Sequence, residues 1–270
     1  MKHPLGRFGV WCTADEITPD LAVEIERLGY GTIWIGRADG DLGQVERLLD
    51  ATSTVVVATG IVNIWRFPGD SVAAAYHRVE RRHPGRLLLG VGVGHPETNG
   101  ERYRRPYTAL CRYLDVLDAA QVPAARRVLA ALGPRTLRLA AERAAGAHPY
   151  LVPVEHTRFA RETMGADALL APEQRVVLDT DADRARVLAL AAVSGPLSRV
   201  NYAGNMRRLG FGDDPPLDRL VRHGDPAAVG AALTEHLLAG ADHVAVHVVG
   251  EDLLRGYRIL SDTLMMRSYP

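Results

Sequence analysis

The chain is almost without lysine. Lys2 is the only one in 270 residues, and every other side chain of fixed positive charge is an arginine. A GC-rich coding sequence accounts for the bias, but its chemical consequence stands. Schiff-base aldolases and pyridoxal-phosphate enzymes need a lysine amine in a pocket, and a lysine beside the N-terminus is badly placed to supply one. The Gly-Lys-Ser/Thr of a nucleotide-binding P-loop is missing as well. Two cysteines, Cys12 and Cys111, cannot build a disulfide framework, which points to a reducing cytoplasm. Formal net charge is zero and the pI is about 7.2, so no basic field draws in nucleic acid or a membrane surface. No apolar run approaches the ~18 residues that span a bilayer. Met1-Lys2-His3-Pro4 leads at once into a strand-like run, not a signal peptide. Neither His-x-His nor His-Glu-x-x-His occurs, so no metal is expected. These absences leave a cytoplasmic protein expected to act on a small molecule.

What is present is a repeating alternation. The length suits one barrel domain of roughly 250 residues with modest insertions, and 47% hydrophobic content is enough for a large core. Eight apolar runs read as strands, at 8–12, 32–36, 55–63, 87–93, 127–132, 147–152, 174–178 and 243–248. Most are continuous, as expected of parallel strands buried on both faces. Helical stripes lie at 20–28, 70–83, 108–119 and 134–145; in the first, Leu21, Ile25 and Leu28 share a face behind Pro19. Strand–helix alternation argues for βαβ units, and eight repeats argue for a closed (β/α)8 TIM barrel, with 1–270 as one domain. The fifth to seventh runs are short, so a doubly wound open sheet is the competing architecture. Against it, no Gly-x-Gly-x-x-Gly follows the first run. Between the seventh and eighth strands, helices at 181–193 and 226–239 flank an irregular stretch. It reads Asn201-Tyr202-Ala203-Gly204-Asn205-Met206 and ends in Gly210-Phe211-Gly212-Asp213-Asp214. Such an insertion suits a lid over the barrel mouth.

In a barrel the site forms where strands end and βα loops begin. The fifth run ends in Gly133-Pro134-Arg135-Thr136, where Gly133 and Pro134 suit N-cap and N1. The amides of Arg135, Thr136 and Leu137 would then lack intrahelical partners and attract an anion, with Arg135 adding a full charge; an ordinary capped helix is the plain alternative. Gly90, Gly92 and Gly94 alternate along the fourth run, so one face is left open for a flat ring, or merely fits the barrel's taper. His95 and Glu97 follow as rival proton carriers, histidine having acid–base competence near neutral pH. Asn63 and Trp65 share a face at the third run's end and suit a polar heteroaromatic ring, though Trp65 serves equally as packing. Trp11 and Trp34 lie mid-strand and read as core. On the last strand, Val244, Val246 and Val248 take the helix-facing side, which turns His243 and His247 toward the barrel axis. His247, nearer the catalytic end, is a substrate-pocket candidate. Two histidines four apart on a strand are roughly 13 Å apart, too far for one zinc. Asp39 and Asp41 follow the second run; Asp41 could reach the pocket, but exposed turn carboxylates are the commoner explanation.

Four segments carry a family resemblance over nearly the whole chain. They are Ala58-Thr59-Gly60-Ile61-Val62-Asn63-Ile64-Trp65, Gly92-Val93-Gly94-His95-Pro96, Ala130-Ala131-Leu132-Gly133-Pro134-Arg135 and Gly240-Ala241-Asp242-His243-Val244. In order and spacing the chain resembles luciferase-like flavin and deazaflavin oxidoreductases, in particular an actinobacterial-type branch that uses coenzyme F420, an 8-hydroxy-5-deazaflavin. The resemblance implies a coenzyme ring near Gly60–Asn63, Trp65, Gly92 and Gly94, and its phosphate at Gly133–Thr136. Some relatives carry a glutamate proton donor where this chain has His95, a departure that leaves Glu97 in contention. It also implies a cis peptide between Gly60 and Ile61, where glycine removes one Cβ from the bond's surroundings. A homodimer is the expected assembly. FMN with monooxygenation is the alternative coenzyme reading, since a 5-deazaflavin lacks the nitrogen that supports oxygen activation. A non-catalytic flavin-binding relative is the alternative of another class.

Overall fold

The computed structural model describes residues 5–212 and 214–266; Lys2, the rest of residues 1–4, and Asp213 lie outside the described residues. Within them eleven strands form, all paired in parallel. They are β1 (Phe8–Thr13), β2 (Thr32–Gly36), β3 (Val56–Gly60), β4 (Val62–Asn63), β5 (Leu87–Gly92), β6 (Arg127–Leu129), β7 (Gly146–Ala147), β8 (Leu169–Leu170), β9 (Glu173–Val177), β10 (Val221–His223) and β11 (Val244–Val248). β1 pairs with β2 on one side and β11 on the other. β3 and β4 are one stave interrupted at Ile61, and β8 and β9 are one stave interrupted at Pro172. The lower part of that second stave bonds β7, and Glu173 N still reaches Pro149 O at 2.8 Å. Its upper part bonds β11. Eight staves therefore close a (β/α)8 barrel.

Two apolar layers hold it. Trp11, Trp34, Val56, Ala58, Leu88, Val128 and Ala245 fill the barrel interior. Val10, Ile33, Ile35, Val57, Leu87, Leu89, Val244 and Val246 point outward against the helices. The alternation follows from the two-residue period of a strand, and it places the two faces of the last strand as the sequence implies. Burying one such aliphatic side chain is worth about 1.5–3 kcal/mol.

Several elements differ from the sequence expectation. Helices Gly43–Ala51, Val154–Met164 and Leu253–Met266 fill the gaps between strands. The expected 127–132 and 147–152 strands shorten to β6 and β7, because each pairs only while its neighbour runs alongside. The largest correction concerns the insertion. Asn201–Met206 is not irregular: helix Val200–Arg208 follows helix Ala182–Leu197, and a short β10 then joins β9. Tyr202, Asn205 and Met206 are buried, and Tyr202 and Met206 pack over Leu151, Val177 and Ala189. Tertiary burial overrides the weak helix propensity of Asn and Gly.

Candidate active site

A cavity of about 820 Å³ opens at the C-terminal mouth of the barrel. Its wall includes strand ends (Trp11, Thr13, Gly60, Ile61, Asn63), the loop after β5 (Val93, Gly94, His95), the segment Ala130–Gly133 with Thr136, then His148 and Tyr150, and the insertion's Pro196, Arg199, Asn201, Tyr202 and Arg208. Arg37, Arg66, Arg199 and Arg208 line it, while among the described residues no carboxylate does. A chain of zero net charge has gathered an excess of positive charge at one opening.

The Gly60–Ile61 peptide is cis. The bulge corrects the reading of the alternating glycines. A Cβ on Gly90 would lie 1.9 Å from Thr59 O, and one on Gly92 would lie 3.2 Å from Ile61 Cγ1 and 2.8 Å from Ala130 Cβ. Gly90 and Gly92 therefore make room for the bulged stave and its neighbour, not for a ring; Gly92 lies behind Ile61, off the cavity wall. Gly94 does reach the wall, at φ +59° and with Asn63 Nδ2 2.8 Å from where a Cβ would stand. Asn63 is held by its neighbours: it donates to Asn99 Oδ1 at 3.1 Å and accepts from Trp65 N at 2.9 Å. Trp65 is packing, its indole donating to Val93 O at 2.8 Å beside the ring of Tyr103, and it does not line the cavity.

His95 lines the cavity and packs on Tyr202 at 4.7 Å between ring centroids. Burial, helped by the positive charge of Arg199 and opposed by Glu97, pushes its imidazole down to about 4. At neutral pH it is an uncharged ring, so the expected acid–base poise near pH 7 is not found: it can accept a proton but holds no imidazolium to donate. Asn201 Nδ2 lies 3.4 Å from His95 Nδ1, 3.0 Å from Gly94 O and 3.2 Å from the Tyr103 hydroxyl. The rival Glu97 is exposed and off the wall. Its carboxylate accepts the Val200 N–H at 2.8 Å, which holds it below the usual carboxylate range.

Gly133 and Pro134 are N-cap and N1 of helix Pro134–Arg143, and Gly133 and Thr136 line the cavity. Leu137 N, however, bonds Gly133 O at 3.0 Å, so that amide is closed to a ligand. Arg135 is also misplaced in the sequence reading. Its guanidinium sits 4.2 Å over the Tyr107 ring, exposed and off the wall. The cation at this helix start is Arg208, whose Nη2 lies 3.6 Å from the Cβ position of Gly133. Asp41 belongs to a separate small hollow with Asp39 and caps Gly43 N at 2.9 Å, outside the main cavity.

His247 lies behind the wall. Its ring lies tilted against Trp11 at 4.5 Å between centroids and donates through Nδ1 to Glu173 at 3.0 Å. Glu173, fully buried, also accepts from Leu151 N at 2.9 Å and lies 3.3 Å from Arg175 Nε. These partners hold its carboxyl below the usual range although burial pushes the other way. Arg175 in turn donates to the Tyr150 hydroxyl, and Tyr150 lines the cavity. Sequence reasoning missed this buried chain, and missed Trp11 and His148 as wall residues. The alternation of Glu173, Arg175 and His247 on neighbouring staves was the available signal, because it aims three polar groups at one side of the barrel.

The sequence profile of the luciferase-like monooxygenase family matches residues 14–243. The chain belongs to that family. As a luciferase-like protein it is an oxidoreductase, and solved structures share its fold at low identity. An F420-dependent secondary alcohol dehydrogenase in complex with an F420-acetone adduct is 15% identical over 95% of this chain and 97% of that one, with a TM-score of 0.76. The coenzyme F420-dependent tetrahydromethanopterin reductase from Methanopyrus kandleri is 16% identical over 97% and 99%, with a TM-score of 0.75. The oxygenating constituent of 3,6-diketocamphane monooxygenase from Pseudomonas putida, in complex with FMN, is 12% identical over 94% and 95%, with a TM-score of 0.67. No curated protein sequence matches the chain. No helix among the described residues is long and apolar enough to cross a membrane, and no cluster of potential metal ligands occurs among them.

Proposed function

We propose that this luciferase-like enzyme transfers hydride between a deazaflavin of the coenzyme F420 type and a small organic substrate. The observation that carries the reading is the cavity itself: among the described residues four arginines and no carboxylate line it, which suits a ligand bearing phosphate. Gly60, Ile61 and Asn63 would back the ring. The free amide end of helix Pro134–Arg143, with Thr136 and Arg208, would hold the phosphate. A bound deazaflavin supplies the hydride donor or acceptor.

The chain's own residues do the remainder. His95, uncharged at working pH, takes up the proton released when a substrate is oxidised, and Asn201 holds its Nδ1 side. Arg199 and Tyr202 of the insertion cover the opening and exclude water, which strengthens every electrostatic contact inside. FMN is the second reading, supported by the FMN-bound neighbour and by the monooxygenases for which the family is named. A homodimer in the cytoplasm is the proposed state of the protein.

Titrating the purified chain with coenzyme F420 and, separately, with FMN tests the reading through tryptophan fluorescence. Tighter binding of the deazaflavin is the expected result. Tighter binding of FMN overturns the coenzyme assignment, and binding of neither overturns the flavin reading altogether.

A further inference from the structure

Asn205 lies fully buried on helix Val200–Arg208, and its amide is only half used. Oδ1 accepts from Arg208 Nη1 at 2.9 Å, one turn further along the helix. Nδ2 has no hydrogen-bond partner among the described residues. A buried donor left unmade offsets what a single bond to an exposed side chain contributes. Leucine has the same number and branching of side-chain heavy atoms and would fill the position without that cost. Stability therefore does not explain the amide.

Its one bond fixes where Arg208 points. With Nη1 held by Asn205, Nη2 lies 3.6 Å from where a Gly133 Cβ would stand, and Cζ lies 3.9 Å from it. Gly133 is the N-cap of helix Pro134–Arg143, and Gly133 and Arg208 both line the cavity. The groups behind leave the guanidinium's charge whole. Asn205 is uncharged. His156, also fully buried, donates through Nε2 to Leu132 O at 3.0 Å. Burial pushes its imidazole down to about 4, with Leu132 O opposing and the charge of Arg208 assisting, so this neighbour is neutral at working pH. A carboxylate at position 205 would hold the guanidinium as well but cancel its charge.

We propose that Asn205 is a positioning residue, whose buried amide presets the Arg208 guanidinium over the start of helix Pro134–Arg143 for a phosphate group. An exposed arginine otherwise gives up its rotamer freedom when the anion arrives, at the expense of affinity. Held beforehand, Arg208 meets the anion already ordered. The inference rests on the functional reading above only for placing a phosphate at this helix start. It holds for coenzyme F420 and FMN alike, since both carry one.

The test uses the whole chain without coenzyme and takes inorganic phosphate, at constant ionic strength, as the probe. The Arg208 Nε–H signal in ¹H–¹⁵N NMR, assigned by its loss in Arg208→Ala, reports on the guanidinium directly. Phosphate should shift that signal in the unaltered chain. Asn205→Leu should move it toward the position of a freely rotating arginine before phosphate is added. The same variant should bind phosphate about fivefold more weakly, the loss of one hydrogen bond, with Tm equal or raised. Asn205→Asp should keep the signal in place yet weaken phosphate at least as much, because orientation survives and net charge does not. In an Arg208→Ala background Asn205→Leu should change phosphate affinity less than twofold, since the amide acts only through Arg208. If Asn205→Leu overpacks and fails to fold, Asn205→Ala serves the same NMR and affinity comparisons. A static Arg208 signal, a lowered Tm with phosphate affinity unchanged, or an undiminished effect in the Arg208→Ala background overturns the proposal. No phosphate shift at Arg208 in the unaltered chain overturns the phosphate reading of the helix start and the proposal with it. The two failures are therefore distinct.

Discussion

The Glu97 carboxylate accepts the backbone N–H of Val200 at 2.8 Å, tying the loop after β5 to the first turn of the insertion's helix. His95 stands two residues from one end of this tie, and Asn201 one residue from the other. The covering helix and the proposed proton carrier are therefore positioned as a unit. Glu97→Gln keeps size and removes charge, while Glu97→Ala removes the acceptor. The alanine variant should speed amide hydrogen exchange across 200–208 by roughly tenfold, in line with loss of a helix-start partner worth about 1 kcal/mol. Exchange unchanged in that segment would show that the tie does not hold the helix.

Arg208 and Arg135 make opposite predictions for coenzyme binding. Arg208→Ala removes the guanidinium beside Gly133 and should weaken binding of the intact coenzyme about tenfold, the value for a charge-assisted contact discounted for solvent exposure. Arg135→Ala removes a cation–π contact with Tyr107 and should leave affinity within about twofold. Isothermal titration of both variants decides it; the reverse ranking would return the phosphate to Arg135.

His95→Gln should lower turnover by about 10²–10⁴-fold with little change in coenzyme affinity. Its pH profile carries the sharper signature. An imidazole lowered to about 4 stays deprotonated from pH 8 down to 5.5, so kcat/KM should be level across that range. A fall centred near pH 6.5 would mean a solvated histidine or another group.

Acid should destabilise the fold well before carboxylates titrate. Burial, the leading cause in each case, pushes His148, His156 and His243 down to about 4 and His236 to about 3. Folded, these rings stay neutral; unfolded, they take up protons near pH 6.5. Below that value the unfolded chain binds more protons, so stability is lost as pH falls from about 6.5 to 4. Each ring contributes up to about 1.4 kcal/mol per pH unit in that window. Thermal melts between pH 7.5 and 4.5 should drop with a steepening slope, and a flat Tm down to pH 5 would refute the argument.

The barrel and the cavity's location were legible because they rest on local signals: eight apolar runs and the Gly133-Pro134 helix start; the bulge at Gly60 was implied by the family resemblance alone. What escaped the sequence depends on contacts between distant residues. Helix Val200–Arg208 looks irregular in isolation, since Asn201, Gly204 and Asn205 are weak helix formers. It is fixed by Glu97 from outside and by the burial of Tyr202 and Met206 beneath. Arg135 lost its expected place to Arg208, seventy-odd residues away, because Tyr107 offered its side chain a ring to lie on. Trp11 passed for core because its apolar face does pack on Tyr150 and His247; only the three-dimensional arrangement shows its N–H left open.

The pairing of β10 with β9 decides how the insertion can be altered. Val221, Arg222 and His223 lie in register with Arg175, Val176 and Val177, and Gln174 reaches Leu220 O at 2.9 Å. Residues 178–243 are thus sewn into the wall at their far end as well as covering the mouth. Exchanging the whole segment for a relative's loop would strip the outer neighbour from the stave that carries Glu173 and Arg175. Redesign of substrate range should therefore cut between the two seams, replacing 195–209 and keeping 217–223, so that a new cover is fitted without unpicking the barrel.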